Sequence, residues 1–375
     1  MTQTSGDRVA RWPSARGTRL RRAHLVLAVA AALSLALAGC AGSPTASGSG
    51  SPSSAATSPP STPGTTTDPA WATIERGVAE LGPQVGMLVA SVSPDGTCNP
   101  IREVDATKAR PIASQFKLFV LGAVEQKVAA GEIGWDQTVA LDDTARSIGN
   151  GEGSLQALPP GSSVTVEDAA TNMIAISDNT AADLLIDLVG RDVVEAQAGT
   201  WMADASANVP FLTTRQMFLL HYVPGLADGY HATPPDQRAA FLATEVDPHP
   251  LTDIALGLSS DPRHVDTVEW FATPHDVCRA FAGLQQAAED PSSAPVSSIL
   301  SREDAGIDLD ASAWPTVWYK GGSEPGVLTL GWLATNREGE TFVVEAMVTN
   351  PDAALSEDSI TTLVDLARQA FDLLG

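Results

Sequence analysis

The pattern of hydrophobic and polar positions predicts strands near both ends of the chain and helices between them. Residues 71–81 carry apolar side chains at helical spacing, and residues 85–92 form a run of apolar and β-branched residues typical of a strand. A turn sequence, Pro-Asp-Gly-Thr at 94–97, follows, and residues 98–106 predict a second strand. The ordered part of the chain therefore begins as helix, strand, turn, strand.

The middle of the chain has a helical pattern. Residues 114–130 are strongly apolar and predict a buried helix. Residues 165–189 predict two helical segments, and Thr165 and Asp168 have the spacing of a capping box at the start of the first. A short polar sequence, Ser-Asp-Asn at 177–179, separates these two segments.

Strand patterns return in the C-terminal part. Residues 316–321, 327–335 and 341–349 are β-rich runs separated by turn residues, and residues 356–374 predict an amphipathic closing helix. Because strands come from both ends and helices from the middle, the sequence predicts an α+β fold. We expect one five-stranded antiparallel sheet flanked by helices, with an all-helical lobe inserted in its middle.

The first 39 residues have the pattern of an export signal. Six arginines precede the apolar run at 25–38, which is too short for a membrane span. The run ends in Leu-Ala-Gly-Cys, which resembles a bacterial lipobox, a motif whose cysteine is acylated and becomes the mature N-terminus. We expect residues 1–39 to be a lipoprotein signal peptide and Cys40 to carry lipid. The alternative is an ordinary signal peptide with an incidental cysteine.

A biased segment follows the predicted lipobox. Residues 40–68 are almost entirely Ser, Thr, Pro, Gly and Ala and cannot bury a core, so they predict a disordered, lipidated linker. Residues 69–375 are long enough for a sizeable hydrophobic core and predict the folded domain. We expect this domain to lie outside the cytoplasm, anchored by lipid to the bacterial cell membrane.

The chain is acidic, with 45 Asp and Glu against 22 Lys and Arg and a formal net charge of −23. This sign argues against nucleic acid as a partner. It says little about the substrate, because surface acidity mainly affects solubility and steering. We expect a monomer.

Three cysteines occur in the sequence. With Cys40 lipidated, Cys98 and Cys278 are the pair left in an exported domain, where disulfides persist. A bridge between them would contribute ~4 kcal/mol in the chain-entropy model. The alternative is two buried free thiols. No C-x-x-C or H-x-x-x-H spacing occurs, and we expect neither a metal nor a cofactor.

Three short motifs lie in one order along the chain: S-x-x-K, S-D-N, and K-T-G with glycine in the middle position. They are Ser114-Gln115-Phe116-Lys117, Ser177-Asp178-Asn179 and Lys320-Gly321-Gly322. Together they resemble the active site of serine β-lactamases and penicillin-binding DD-peptidases. The resemblance covers residues 71–375, is closest to class A β-lactamases, and implies the same α+β architecture.

The spacing of the first motif suits nucleophilic catalysis. A serine hydroxyl needs an adjacent base, and side chains three residues apart on a helix can touch, so Lys117 can reach Ser114. Lys117 must be neutral to accept a proton, and burial near a second cation, Lys320, would lower its pKa. The alternative is a capping serine beside a solvated lysine.

The resemblance assigns roles to the other two motifs. Ser177 would pass a proton to the departing nitrogen, Asn179 would orient Lys117 and hold a substrate amide, and Lys320 would hold a substrate carboxylate or relay a proton. The backbone N–H groups of Ser323 and Ser114 would form an oxyanion hole. Gly322 would let the substrate approach the backbone closely.

Two features depart from the class A pattern. Gly321 lacks the hydroxyl of the K-T-G threonine, for which Ser323 or Ser163 could compensate. No E-x-x-N follows the S-D-N motif, so the glutamate that activates the hydrolytic water in class A enzymes is missing. Glu245 and Glu269 are the glutamates of a longer segment at 210–270, and a surface position fits each better than catalysis.

A small branch of exported class A-like hydrolases shares two further sequences with the chain, Pro-Phe-Leu-Thr-Thr-Arg at 210–215 and Lys-Gly-Gly-Ser-Glu-Pro-Gly at 320–326. The resemblance implies a serine hydrolase that acylates Ser114 with a β-lactam or a related amide or ester and then hydrolyses the acyl-enzyme. The missing glutamate keeps two alternatives open. They are a cell-wall DD-peptidase or esterase acting on peptidoglycan-related substrates, and a penicillin-binding or sensor lipoprotein without turnover.

Overall fold

The structure, a computed structural model, describes residues 68–149, 154–254 and 260–375. The predicted signal peptide at 1–39 and Cys40 lie outside the described residues, as does the predicted linker except for Asp68. Within the described ranges, no helix is both long enough and apolar enough to cross a bilayer.

Nine strands occur in the described part of the chain. They are β1 (Gln84–Val92), β2 (Cys98–Val104), β3 (Arg110–Pro111), β4 (Thr138–Ala140), β5 (Ser163–Thr165), β6 (Phe271–Ala272), β7 (Thr316–Glu324), β8 (Val327–Thr335) and β9 (Thr341–Thr349). Five of them form one antiparallel sheet in the order β2-β1-β9-β8-β7. The predicted five-stranded antiparallel sheet is confirmed.

Eleven α-helices occur in the same described ranges. They are α1 (Pro69–Ala79), α2 (Lys117–Ala129), α3 (Val166–Ala175), α4 (Asn179–Val189), α5 (Arg191–Trp201), α6 (Thr214–Tyr222), α7 (Leu226–Ala232), α8 (Arg238–Phe241), α9 (Pro274–Ala287), α10 (Pro295–Leu300) and α11 (Asp358–Asp372). Helices α2 to α10 lie between β2 and β7 in the chain, which confirms an inserted, mainly helical lobe. The lobe also contains two small two-stranded sheets, β3–β6 and β4–β5, that the pattern did not predict.

Both faces of the large sheet are covered. Neighbouring residues of a strand point to opposite faces, so in β8 Trp332 packs with α1 and α11 while Leu333 packs with the helical lobe. Helix α1 contributes Trp71, and α9 of the lobe contributes Phe281. Burial on two sides explains why the central strands are hydrophobic at nearly every position rather than at every second one.

Several predicted boundaries move, three of them near the candidate site or in the sheet. The strand predicted at 316–321 continues to Glu324, because that residue still pairs with Val327 across the hairpin. The helix predicted from Ser114 begins with a 3₁₀ turn, Ala113–Phe116, before α2 starts at Lys117. The second strand ends at Val104, two residues early.

A disulfide joins Cys98 at the start of β2 to Cys278 in α9, with the two Cα atoms 6.4 Å apart. This separation lies within the usual range for a disulfide. The pair is the one that the sequence predicts, and it ties the first edge strand of the sheet to the helical lobe.

Candidate active site

Ser114 and Lys117 are placed by the 3₁₀ turn that precedes α2. In a 3₁₀ helix, side chains three residues apart lie above one another. Lys117 Nζ accordingly lies 3.0 Å from Ser114 Oγ. The turn begins at Ala113, whose φ of 42° is a left-handed conformation that an alanine seldom adopts. Neighbouring structure therefore holds the backbone of the turn in place.

Four oxygen atoms surround the amine of Lys117. Nζ lies 2.8 Å from Asn179 Oδ1 and 2.7 Å from the Ser177 carbonyl oxygen, both of which can only accept hydrogen bonds. The hydroxyl oxygens of Ser114 and Ser177 lie 3.0 and 3.1 Å away. A neutral amine can donate to the two acceptors and still point its lone pair at a hydroxyl. This geometry suits removal of the Ser114 proton.

Burial favours the neutral form of Lys117. The side chain is fully buried, and this desolvation lowers its pKa to about 7, against the opposing charges of Asp178, Asp183 and Glu269. A substantial share of Lys117 is therefore a free base at neutral pH. The alternative of a solvated lysine is wrong.

The S-D-N motif forms the sharp link between α3 and α4. Ser177 has a φ of 56°, and Asp178 caps α4 by accepting the Ala181 N–H at 3.1 Å. Asp178 also accepts the Leu155 N–H, so its part is structural, as the sequence indicates. Asn179 Nδ2 donates to the Ile148 carbonyl at 3.1 Å, which turns its oxygen toward Lys117.

Lys320 reaches the same place from the edge strand β7. Its Nζ lies 3.1 Å from Ser177 Oγ and donates to the Gly321 carbonyl at 2.7 Å. Burial, and secondarily the charge of Lys117, lowers the pKa of Lys320 well below its usual value. The hydroxyl of Ser177 therefore lies between two amines, which is the arrangement a proton relay needs.

Gly322 brings β7 against the Ser114 turn. A Cβ at this position would lie 2.6 Å from the Ser114 nitrogen and 2.3 Å from the Ile112 carbonyl oxygen, so no side chain fits. The sequence predicts a close approach at Gly322, and the structure shows that the approaching group is the protein's own backbone. Ser323, the next residue, is exposed.

The model of the β-lactamase enzyme family matches residues 70–374. The chain belongs to this family. The match extends over the whole sheet and its helices, and it supports a hydrolase of the β-lactamase type. No curated protein matches the chain.

Solved β-lactamase structures share the fold. An enzyme from Sphaerobacter thermophilus is 23% identical over 82% of this chain and 96% of that chain, with a TM-score of 0.55. One from Chitinophaga pinensis is 16% identical over 82% of this chain and 100% of that chain, with a TM-score of 0.56. A PBP-A variant, solved as an acyl-enzyme complex with penicillin G, is 18% identical over 82% and 96%, with a TM-score of 0.54. At these identities the likeness establishes the fold alone.

The glycine in the middle of the third motif has a steric reason in this β-lactamase-family member. A Cβ at Gly321 would lie 2.1 Å from Tyr319 Oη and 2.9 Å from Leu330 Cδ2. A threonine at this position would therefore fit only if the side chains of Tyr319 and Leu330 moved. Of the two serines that could supply its hydroxyl, Ser323 lies at the end of β7 and Ser163 pairs with Ala140 in the small β4–β5 sheet.

The two candidate glutamates, Glu245 and Glu269, differ in how exposed they are. Glu245 is exposed on a π-helical turn, Leu242–Val246, as expected of a surface residue. Glu269 is only 3% exposed, so the prediction of a surface position is wrong for it. Its carboxylate accepts the Trp270 N–H at 2.8 Å and faces the N–H of Ala113, next to Ser114.

Several buried polar groups near the site lie at positions whose residue type no motif specifies. Asp183 accepts the N–H groups of Thr214 and Arg215 at 2.7 and 2.9 Å, which ties α4 to the start of α6, and burial raises its pKa to about 7. Gln115 donates to the Lys320 carbonyl at 3.1 Å and to Glu345 at 2.9 Å. These contacts join distant segments, so no local pattern could have predicted them. Among the described residues, no cluster of three or more His, Cys, Asp or Glu could hold a metal ion.

Proposed function

We propose that the protein is a serine hydrolase, which is acylated at Ser114 by a β-lactam or a related amide or ester and then hydrolyses the acyl-enzyme. One observation carries the proposal: the unbroken chain of contacts from Ser114 through Lys117 and Ser177 to Lys320, each 3.0–3.1 Å long. A nucleophile, a base with a lowered pKa and a relay are the parts that acyl transfer by serine requires.

Acylation would begin with the neutral form of Lys117. Its amine takes the hydroxyl proton of Ser114 while Oγ forms a bond to the substrate carbonyl carbon. The carbonyl oxygen takes up the negative charge, which suits the backbone donors of Ser114 and Ser323. The bond to the leaving nitrogen or oxygen then breaks.

The leaving group needs a proton, and Ser177 is in place to deliver it. Its hydroxyl proton passes to the leaving atom, and the ammonium formed at Lys117 replaces it, while Lys320 contacts the same Ser177 oxygen at 3.1 Å. Protons balance, because the one taken from Ser114 is the one returned. Water then attacks the Ser114 ester, releases the acid and restores the serine. Chain positions after Ser177 supply no E-x-x-N glutamate for that second half.

The missing E-x-x-N favours a second candidate, a DD-peptidase or esterase with little or no β-lactamase activity. Such an enzyme would share the acylation step and differ in its acyl donor. A penicillin would then leave a long-lived adduct, because water is poorly activated. A lipoprotein that binds penicillin without turnover would give the same adduct and hydrolyse no substrate.

Intact-mass measurement over time, after mixing with penicillin G, tests the proposal. We expect an adduct on the wild type that forms and then decays, and none on Ser114→Ala. An adduct that persists favours the DD-peptidase or the sensor, which hydrolysis of a small ester or a D-Ala-D-Ala peptide then separates. Failure of both penicillin and a fluorophosphonate probe to label the wild type contradicts a serine hydrolase.

We further propose that the mature protein is attached to the outer face of the bacterial membrane by lipid on Cys40. The support is the arginine-rich, apolar, Leu-Ala-Gly-Cys sequence followed by a Ser/Thr/Pro-rich segment. Cys40→Ala should move the protein out of the membrane fraction or leave it unprocessed. Identical fractionation and electrophoretic migration of wild type and variant would refute lipidation.

A further inference from the structure

Two glutamates, one buried and one half-buried, meet beside the Ser114 turn, defined here as residues 112–116. The carboxyl groups of Glu269 and Glu324 lie close enough for a protonated one to donate a hydrogen bond to the other. Glu269 is 3% exposed as a residue, and the Glu324 side chain is 13% exposed. The acylation mechanism described above uses neither group.

Each glutamate belongs to one of the two backbone segments that would form the oxyanion hole. The Glu269 carboxylate faces the N–H of Ala113, and the Ile112 N–H donates to the Trp270 carbonyl at 2.9 Å, so Glu269 is fixed to the Ser114 turn. Glu324 follows Ser323 on β7. The carboxyl pair thus spans the same two segments whose spacing Gly322 makes so close.

The surroundings of the two groups favour a proton between them. One oxygen of each carboxylate, Oε1 in both, is buried and has no hydrogen-bond donor among the described residues. Two neighbouring negative charges in a buried site repel each other strongly, and a shared proton removes the repulsion. Burial raises the pKa of both groups, and the facing charge of Glu269 adds to the rise at Glu324.

Other charged groups around the pair do not replace that proton. Lys117 faces Glu269 and favours its ionised form. His221 Nδ1 lies 3.9 Å from Glu324 Oε2, but His221 Nε2 donates to the Val268 carbonyl at 2.6 Å, and burial lowers the pKa of His221 to about 4. The charges of His264 and Arg263 lower it further. Glu324 therefore faces a neutral imidazole, which supplies no positive charge to offset its own.

We propose that Glu269 and Glu324 share one proton and form a positioning clamp that sets the spacing between the Ser114 turn and the end of β7 for acylation. The inference rests on the proposed function, because the spacing matters for attack by Ser114. With the proton in place, an O–H···O bond holds the two segments together. Loss of the proton at alkaline pH turns the bond into repulsion and moves the two oxyanion donors apart.

The pH profile of acylation tests the clamp. In the wild type, the rate of labelling by a fluorescent penicillin or a fluorophosphonate should rise as Lys117 loses its proton and fall again at alkaline pH as the pair ionises. Glu324→Gln donates an N–H to Glu269 at every pH, so its alkaline fall should disappear. Glu324→Ala cannot bridge the segments and should label at least ~10-fold more slowly at neutral pH, since small misplacements near the reacting atoms are costly.

Two further variants make the test specific. Glu245→Gln alters an exposed glutamate and should reproduce the wild-type profile. Glu269→Gln should behave like Glu324→Gln, because an amide again supplies the bridging donor. Normal acylation by Glu269→Gln with an acyl-enzyme that no longer decays would overturn the clamp and assign Glu269 to hydrolysis. A wild type without an alkaline fall, or a Glu324→Gln variant that keeps it, would also overturn the clamp.

Stability against pH separates failure of the clamp from failure of the proposed function. A carboxyl with a raised pKa contributes stability that is complete below pH ~4.5 and is lost as the pH rises through its folded value. The wild type should therefore lose free energy of unfolding relative to Glu324→Gln as the pH rises above ~4.5. If neither probe labels the wild type, the proposed function fails, and this measurement alone decides whether the proton is shared.

Discussion

At the scale of single residues, the proposed acylation of Ser114 depends on the protonation state of Lys117. Two oxygens that can only accept hydrogen bonds and two hydroxyl groups lie 2.7–3.1 Å from the amine. An ammonium would donate its third N–H to a hydroxyl and so could not accept the proton of Ser114. Burial makes the neutral form available by lowering the pKa of Lys117 to about 7. The charge state of one side chain thus links folding to nucleophilicity.

We predict that the rate of Ser114 acylation rises with pH through about 7 and levels off, up to the alkaline fall, since the reactive form of Lys117 appears as its folded pKa is passed. Lys117→Arg keeps a cation that cannot lose its proton, and Lys117→Ala removes the base. Both should slow acylation by ~10²–10⁴. Stopped-flow or quenched labelling at a series of pH values measures the effect.

Lys127→Arg is the matched control, because Lys127 lies on the same helix and pairs with Glu132 at the surface. Its rate and profile should equal those of the wild type. The Ser114→Ala/Lys117→Ala double variant should match Ser114→Ala alone, because the two residues act as a unit. Acylation of Lys117→Ala at the wild-type rate would remove Lys117 from the proposed role.

The sequence predicts the motif residues of the site but not the glutamates that contact each other beside them. The order of Ser114, Ser177 and Lys320 along the chain predicts a shared site, because the resemblance supplies a fold that brings them together. The contact of Glu269 with Glu324 depends on the exact packing of a loop against a strand end. Neither residue lies in a periodic pattern that would indicate burial, and a lone glutamate is usually solvated.

At the scale of elements, one face of β7 holds residues of the candidate site, and the opposite face packs tightly against β8. Successive residues of β7 point to opposite faces of the sheet. The face that meets the Ser114 turn at Gly322 also holds Lys320 and Glu324. The opposite face holds Tyr319, Gly321 and Ser323. On the opposite face, Tyr319 packs against Trp332 of β8, with ring centroids 5.4 Å apart. The tyrosine hydroxyl then occupies the space beside Gly321.

We predict that Gly321→Ala lowers the free energy of unfolding by about 1–3 kcal/mol, the usual cost of overpacking. Its Cβ would meet Tyr319 Oη at 2.1 Å. Tyr319→Phe removes that oxygen and leaves ring carbon Cζ at 2.9 Å, so the same substitution in a Tyr319→Phe background should cost less. Urea denaturation of the four proteins measures the coupling.

Gly199→Ala in α5 is the control, because a Cβ there meets no atom within 4 Å. This helical substitution should not destabilise the protein. An equal cost of Gly321→Ala with and without the tyrosine hydroxyl would show that Tyr319 does not exclude a K-T-G side chain.

The sequence predicts the bounds of a strand well where burial on both faces makes nearly every residue apolar. The runs at 327–335 and 341–349 are mostly apolar and form β8 and β9 with the predicted bounds. The prediction failed at the end of β7, because glycines and Ser323 hide a strand that backbone pairing with β8 extends to Glu324. The two-residue strands β3 and β6 are too short to carry any pattern.

At the scale of the whole molecule, the disulfide and the candidate site lie at opposite edges of the sheet. In the order β2-β1-β9-β8-β7, Cys98 begins the first strand and Lys320 lies on the last. The bridge closes a sequence separation of 180 residues, which spans most of the helical lobe. It therefore restricts the unfolded chain and lies away from the contacts of the candidate site.

We predict that Cys98→Ala/Cys278→Ala lowers the free energy of unfolding by about 2–5 kcal/mol, mainly by releasing the unfolded chain. Because β2 is remote from β7, the variant that remains folded should acylate Ser114 at close to the wild-type rate. Urea denaturation with and without reductant tests the cause: reductant should shift the midpoint of the wild type and leave that of the variant unchanged. Alkylatable thiols at both positions of the exported wild type, or a midpoint insensitive to reductant, would contradict the bridge. A parallel loss of acylation rate would mean that the disulfide also supports the site through α9, whose neighbour α2 follows the Ser114 turn.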